Sequence, residues 1–191
     1  MRARGFSLAE MIVVLGIMGT MLAVSIPMFR PRFAEAHLLG AARQFKAEFR
    51  LAASTAVRAN VYTAIRFERR GEDVWYSVYQ DGNHNGVRAV DIDAGVDRRI
   101  AGPLPLTAGA PGVRIGFNPG VPAVPPDSGL LSGDPIRFGS SDTLSFSPLG
   151  TATSGTFYLA GDAAQAAVRV TGTSARVRLM VWRGGQWIER S

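Results

Sequence analysis

The stretch that decides how this chain is built is Met1–Arg30, MRARGFSLAEMIVVLGIMGTMLAVSIPMFR. A short basic leader, Met1 to Gly5, meets an apolar run that carries one acid, Glu10. From Met11 to Phe29 there is no charge. As a helix rising 1.5 Å per residue, this run covers ~28 Å, close to a bilayer's hydrocarbon core. It predicts a membrane-spanning helix over 6–29 in preference to a buried core helix. Arg2 and Arg4 favour the cytoplasmic side, which places the remainder across the membrane. Gly16 and Gly19 allow close helix packing inside the span. Pro27 lacks an N–H and should kink the helix near the membrane exit, where Arg30 and Arg32 mark the aqueous boundary.

A secretory signal would place its cleavage site after the apolar region. Here the conspicuous junction, Gly5-Phe6, lies before it. The series Gly5-Phe6-Ser7-Leu8-Ala9-Glu10, an apolar helix and then Pro27 resembles the class III signal of type IV pilin-like proteins. That resemblance implies a leader, 1–5, removed by a prepilin peptidase between Gly5 and Phe6. It implies N-methylation of Phe6 and retention of the helix as an anchor. It further implies that Glu10 pairs with the amine of Phe6 on a neighbouring subunit, with Pro27 part of the same assembly segment. A carboxylate in hydrocarbon is costly and normally faces a partner. The competing reading is a glutamate hydrated among headgroups.

Beyond the anchor, Ala34 to Asn60 is helical in pattern. Leu38, Ala42, Phe45, Phe49, Ala52, Ala53 and Ala56 fall on one face, with Arg43, Lys46, Arg50, Ser54 and Arg58 largely off it. The residues 30–60 thus continue the anchor as an amphipathic helix whose apolar stripe lies on a β-sheet. Alternation then takes over. Tyr62–Arg69 and Trp75–Tyr79 flank Gly71-Glu72-Asp73 as a hairpin. Short strands are expected at Val113–Phe117, Thr143–Ser147, Thr156–Leu159 and Ala167–Thr171, the last pairing with Arg176–Trp182. Residues 118–135, dense in proline and glycine, read as a long surface loop. The fold class is α+β: a long bent N-terminal helix on a small antiparallel sheet or sandwich, with 61–191 as the β-rich domain.

The chain has 191 residues, 47% of them apolar, which suits one packed domain behind a helix. Its net charge is +6, and Lys46 is the only lysine. A basic surface suits nucleic acid, anionic lipid or an acidic partner. With no cysteine, disulfides, zinc–thiolate sites and cysteine nucleophiles are excluded. Two histidines, His37 and His84, with no paired acids and no phosphate-cradling glycine loop, assemble no catalytic constellation.

The layout resembles the GspH/FimT group of pilin-like proteins in three places. These are the alanine-rich helix AARQFKAEFRLAASTAVRAN, the stretch Leu144–Thr156 and the basic strand Ala175-Arg-Val-Arg178. The resemblance implies a minor pilin or pseudopilin, non-enzymatic, in the tip or initiation complex of a type IV pilus or type II secretion filament. Its partners would be other pilins or pseudopilins and prepilin peptidase. It would reside in the inner membrane by a single pass with a periplasmic domain, and then in a surface pilus or periplasmic filament.

Two further sites are candidates. Asp81-Gly-Asn83-His-Asn85-Gly86 matches the opening of a calcium (Ca2+) loop, with Asp91 as the nearest completing acid because Ile92 holds the twelfth position. The same residues are ordinary turn formers. Arg176 and Arg178 share one strand face, with Arg169, Arg183, Arg190, Trp182 and Trp187 nearby in sequence. Arginines among aromatics suit sequence-independent DNA binding. Some members of the resembled group bind DNA through a G-R-x-R pattern, in which Ala175 here replaces the glycine. A solvated strand face is the alternative.

Overall fold

The computed structural model describes residues 7–71, 73–106, 110–139, 141–162 and 164–190, with the side chains of 24–32 excepted. Gly5 and Phe6 lie outside the described residues, as does the side chain of Pro27. The chain divides into two compact units, Met1–Phe33 and Ala34–Ser191. The first helix, α1 (Leu8–Ala59), has residues in both.

In the first unit, α1 begins where Ser7 and Glu10 close a reciprocal cap. The Glu10 amide donates to Ser7 Oγ at 3.2 Å, and the Ser7 amide donates to Glu10 Oε2 at 2.9 Å. Every described side chain from Ser7 to Ala23 is exposed, including Leu8, Ile12, Val13, Leu15, Met18 and Leu22. Among the described residues no helix is long and apolar enough to cross a membrane. The uncharged run expected to span has described side chains only as far as Ala23. Helical backbone continues through Pro27.

In the second unit, α1 buries Leu38, Ala42, Phe45, Phe49, Ala52 and Ala56, the face expected from the spacing. The helix stops where Asn60 turns left-handed, with φ of 53°. One position departs from the expected polar side. Lys46 is buried, and its Nζ donates to the Arg190 carbonyl at 3.3 Å. Its long stem covers apolar surface while the ammonium reaches a carbonyl.

Two antiparallel sheets pack with this helix. The first runs in the order β3 (Arg98–Pro105), β2 (Asp73–Gln80), β1 (Thr63–Arg70), β6 (Thr143–Phe146). The second runs β10 (Gln186–Arg190), β9 (Arg176–Arg183), β8 (Gln165–Thr171), β7 (Gly155–Ala160), β4 (Arg114–Ile115), and β5 (Ile136–Phe138) also pairs with β7. One core joins helix and both sheets. Phe45 meets Phe157 at 5.1 Å between centroids, Phe49 meets Phe138 at 5.8 Å, and Phe67 stacks on Phe138 at 5.9 Å. Tilted and edge-on pairs of this kind add ~0.5–1.5 kcal/mol each beyond the area they bury.

Gly155 explains part of the Leu144–Thr156 stretch. A Cβ there would collide with the Arg137 carbonyl and the Phe138 ring, so glycine lets β5 lie against β7. The segment 118–135, expected to be a surface loop, is anchored in part. Val121, Ala123 and Val124 are buried, and Val124 packs with Tyr158 and Ala167 on the outer face of the second sheet. Its prolines make it irregular, but its valines give it a small core of its own.

Candidate functional site

The outer face of the second sheet holds the candidate basic site. On β9, Val177, Leu179 and Val181 point to the core, so Arg176, Arg178, Met180 and Trp182 point away from it. Register places Glu189 of β10 opposite Met180, hence on the same outer face. Glu189 Oε1 lies 3.3 Å from Arg176 and Oε2 lies 3.8 Å from Arg178. One carboxylate thus sits between the two arginines proposed to meet DNA. The Arg178 Nε is buried with no hydrogen-bond partner.

The neighbouring arginines are divided among other tasks. Arg169 Nη1 donates to the Val124 carbonyl, Asp127 Oδ2 and Thr156 Oγ1 at 3.2, 2.9 and 3.1 Å. It fastens the 118–135 segment to β8. Arg183 Nη2 donates to both oxygens of Glu35 on α1, at 2.6 and 2.8 Å. Trp187 donates its indole N–H to the Pro122 carbonyl at 3.0 Å and packs near Trp182 and Tyr158. These contacts tie β8, β9 and β10 to the 118–135 segment and to α1.

Ala175, just before Arg176, has φ of 46° and ψ of 24°. This is left-handed backbone, which favours glycine. The G-R-x-R resemblance thus marks a real turn requirement that this chain meets with an alanine.

The Asp81 loop is closed by its own hydrogen bonds. Asp81 is buried, its Oδ1 accepting from the Asn83 amide at 3.0 Å and its Oδ2 from the Gly86 amide at 2.7 Å. Asn83 Oδ1 accepts from the Asn85 amide at 3.3 Å. Asp97, missed in the sequence, is equally buried and accepts from the Gly82 and Arg88 amides at 3.1 and 2.9 Å. Two carboxylates thereby staple the loop ahead of a short helix, α2 (Ala89–Asp93). Asp91 has one buried oxygen, Oδ2, without a hydrogen-bond partner. Among the described residues, no group of three or more His, Cys, Asp or Glu side chains is placed to hold a metal ion.

A hollow of about 330 Å³ beside α2 is lined by Arg66, Val87, Arg88, Ala89, Ile92, Ser141 and Thr143. It offers cations and hydroxyls with no carboxylate or imidazole to act as a base. The N-terminal constellation is the remaining candidate. Glu10 is exposed at the start of an exposed apolar helix, and its carboxylate already serves the cap with Ser7. The S-x-x-E spacing that signals this cap was present in Ser7-Leu-Ala-Glu10.

An amphipathic helix buried on two antiparallel sheets, with an exposed apolar helical segment ahead of it in sequence, defines a pilin-like α+β subunit. Within that class the chain belongs to the GspH family. The family model described as Type II transport protein GspH matches residues 41–175. The match ends at Ala175, so Arg176 and Arg178 lie beyond it, as does the N-terminal segment. No curated protein and no solved structure matches the chain.

Proposed function

We propose that this protein is a non-enzymatic minor pilin or pseudopilin that joins a type II secretion filament through its N-terminal helix. The observation that carries the reading is the wholly exposed apolar surface of Leu8 to Leu22, placed before a GspH-family domain. So much unpartnered apolar area on a regular helix calls for other helices or lipid around it. On this reading prepilin peptidase cuts between Gly5 and Phe6, and Phe6 is N-methylated. The segment 6–29 anchors the protein in the inner membrane by a single pass, its domain periplasmic, until assembly. The helix then becomes filament core, and Glu10 meets the amine of Phe6 in the next subunit. The 34–191 unit supplies lateral or tip contacts.

The test is co-expression of the full chain with and without a prepilin peptidase, followed by intact-mass analysis and membrane fractionation. The reading expects loss of Met1–Gly5, a methylated Phe6 and carbonate-resistant membrane association. An unprocessed chain recovered in the soluble fraction would overturn it. A type IV pilus is the alternative filament, and co-purification with secretion or pilus subunits separates the two.

A further inference from the structure

Sheets are vulnerable at their edges, where backbone donors and acceptors face outward. Three edges here are guarded. On β3, Pro103 and Pro105 remove N–H groups and the register to β2 is irregular. On β6 the chain folds back, with the Ser147 amide donating to Thr151 O at 2.8 Å and the Thr153 amide to Ser145 O at 2.8 Å. The far edge of the second sheet is made of β4 and β5, only two and three residues long, which is too short to template a further strand. Among the described residues the remaining edge is β10, which has neither proline nor bulge and pairs with β9 in unbroken register. The β9–β10 turn is the two-residue Gly184-Gly185, with positive φ at both. In such a hairpin the hydrogen-bonded pairs are Arg183–Gln186, Val181–Ile188 and Leu179–Arg190. The amide and carbonyl groups of Trp187 and Glu189 therefore point to the open side.

At the Arg190 end of this edge lies a row of cations, while the turn end faces Glu35 through Arg183. Arg43, Lys46 and Arg50 follow one another at helical spacing on α1 and, with Ala47, line a shallow groove of about 410 Å³. Lys46 Nζ reaches the Arg190 carbonyl of β10, which fixes the groove next to the strand. Arg43 and Arg50 are exposed and have no ion-pair partner among the described residues. Burial, and then the positive field of Arg50, lower the Lys46 pKa; Glu189 raises it less than these lower it. The groove thus holds more positive charge than the fold itself neutralises.

We propose that the open edge of β10 and the row Arg43, Lys46, Arg50 together dock an extended acidic segment of a partner protein, added as a further strand. Strand addition uses both the outward N–H and the outward C=O groups, whereas the phosphates of a polyanion such as DNA can accept from the N–H groups but offer the carbonyls no donor. It also sets a pattern. Alternate side chains of the guest fall on opposite faces, so acids at every second position meet the helix cations. The intervening positions lie toward Trp182 and Trp187, which favours apolar residues there. The inference concerns the 34–191 unit and does not depend on the filament reading.

The probe is a labelled peptide of ~8 residues, a usual strand length, alternating glutamate and valine, titrated against the full chain in mild detergent at low salt. Its controls are a block-order isomer of the same composition and a peptide N-methylated on the backbone groups that would face β10. We expect the alternating peptide to bind and both controls to fail. Affinity should fall about tenfold in Arg43→Glu/Arg50→Glu, because the charges meet across a partly desolvated groove. Glu189→Pro removes one outward N–H and should weaken binding comparably, whereas Glu189→Gln, which keeps it, should not. The peptide controls carry the test on the unmodified protein if Glu189→Pro unfolds. No binding, equal binding of the block-order isomer or of the N-methylated peptide, or full competition by a DNA duplex of matched charge would each overturn the proposal.

Discussion

Arg169 and Asp127 lock the proline-rich segment onto the second sheet, Nη1 to Oδ2 at 2.9 Å, with the Val124 carbonyl and Thr156 hydroxyl sharing the same nitrogen. The Arg169 side chain is only 13% exposed, so its bonds to the Val124 carbonyl and the Thr156 hydroxyl are partly shielded from competing water, while Asp127, at 45%, is open to it. Hydrogen bonds to a charged group contribute ~1.5–3 kcal/mol where they are protected in this way. We expect Arg169→Ala to cost about 2 kcal/mol in urea unfolding and to speed hydrogen exchange over 118–135. A stable Arg169→Ala protein with unchanged exchange would return Arg169 to the pool of free surface cations.

Ala175 offers a prediction of the opposite sign. Its left-handed backbone costs an L-residue ~1–2 kcal/mol, part of which glycine gives back through greater freedom in the unfolded chain. Ala175→Gly should stabilise by roughly 0.5–1 kcal/mol. It should leave the Arg176 and Arg178 pairs with Glu189 in place. If the variant also gains salt-dependent DNA binding, the alanine has been suppressing a nucleic-acid surface. Unchanged binding leaves the turn as a matter of stability alone.

The helix and most strands were legible because their signals are local. Phe45, Phe49 and Ala52 repeat at helical spacing, and the alternation of Tyr62–Arg69 survives any tertiary context. What escaped was decided by pairing. Pro103 and Pro105 argue against a strand, yet β3 tolerates them as an edge. Gln186–Arg190 is short, with two charges in five residues, and becomes a strand because β9 lies beside it. The basic tail was legible as charge, but its neutralisation was not. Glu189 reaches Arg176 and Arg178 only once register sets it opposite Met180.

Ser7 and Glu10 allow the cap to be separated from assembly. If Glu10 matters through the helix start, Ser7→Ala and Glu10→Val both cost ~1 kcal/mol of local helix stability and share one phenotype. If it matters through a neighbouring amine, Glu10→Val blocks filament incorporation and Ser7→Ala does not. We expect the second pattern, with membrane association kept in both. Co-sedimentation of each variant with the assembled filament is the measurement, and equal incorporation of the two would remove Glu10 from assembly.

The Asp81 loop can be probed by cation and by mutation together. Asp81→Ala leaves the Asn83 and Gly86 amides without acceptors and should lower stability by about 2 kcal/mol. Because no three acidic or histidine side chains converge there among the described residues, millimolar calcium should leave the melting temperature of the unmodified protein where it is. A calcium-dependent rise that disappears in Asp91→Asn would instead assign Asp81, Asn83, Asn85 and Asp91 to a cation.

Asp142 gives the pH dependence. Burial, then the nearby Asp134 carboxylate, raise its pKa above the ordinary 3.8, and Arg69 offsets this in part. A carboxyl with a raised folded-state pKa binds its proton more tightly folded than unfolded. Its ionisation therefore weighs against the fold at neutral pH, and that penalty fades as pH falls through the folded pKa toward 3.8. Asp142 also sits at φ of 48°, a conformation that asparagine accepts as readily as aspartate. Asp142→Asn should therefore be modestly more stable than the parent at pH 7, with the gap closing between pH 7 and pH 4. Urea midpoints measured across that range provide the check. A gap that stays constant with pH would mean the carboxylate is solvated and that only the backbone preference distinguishes the two residues.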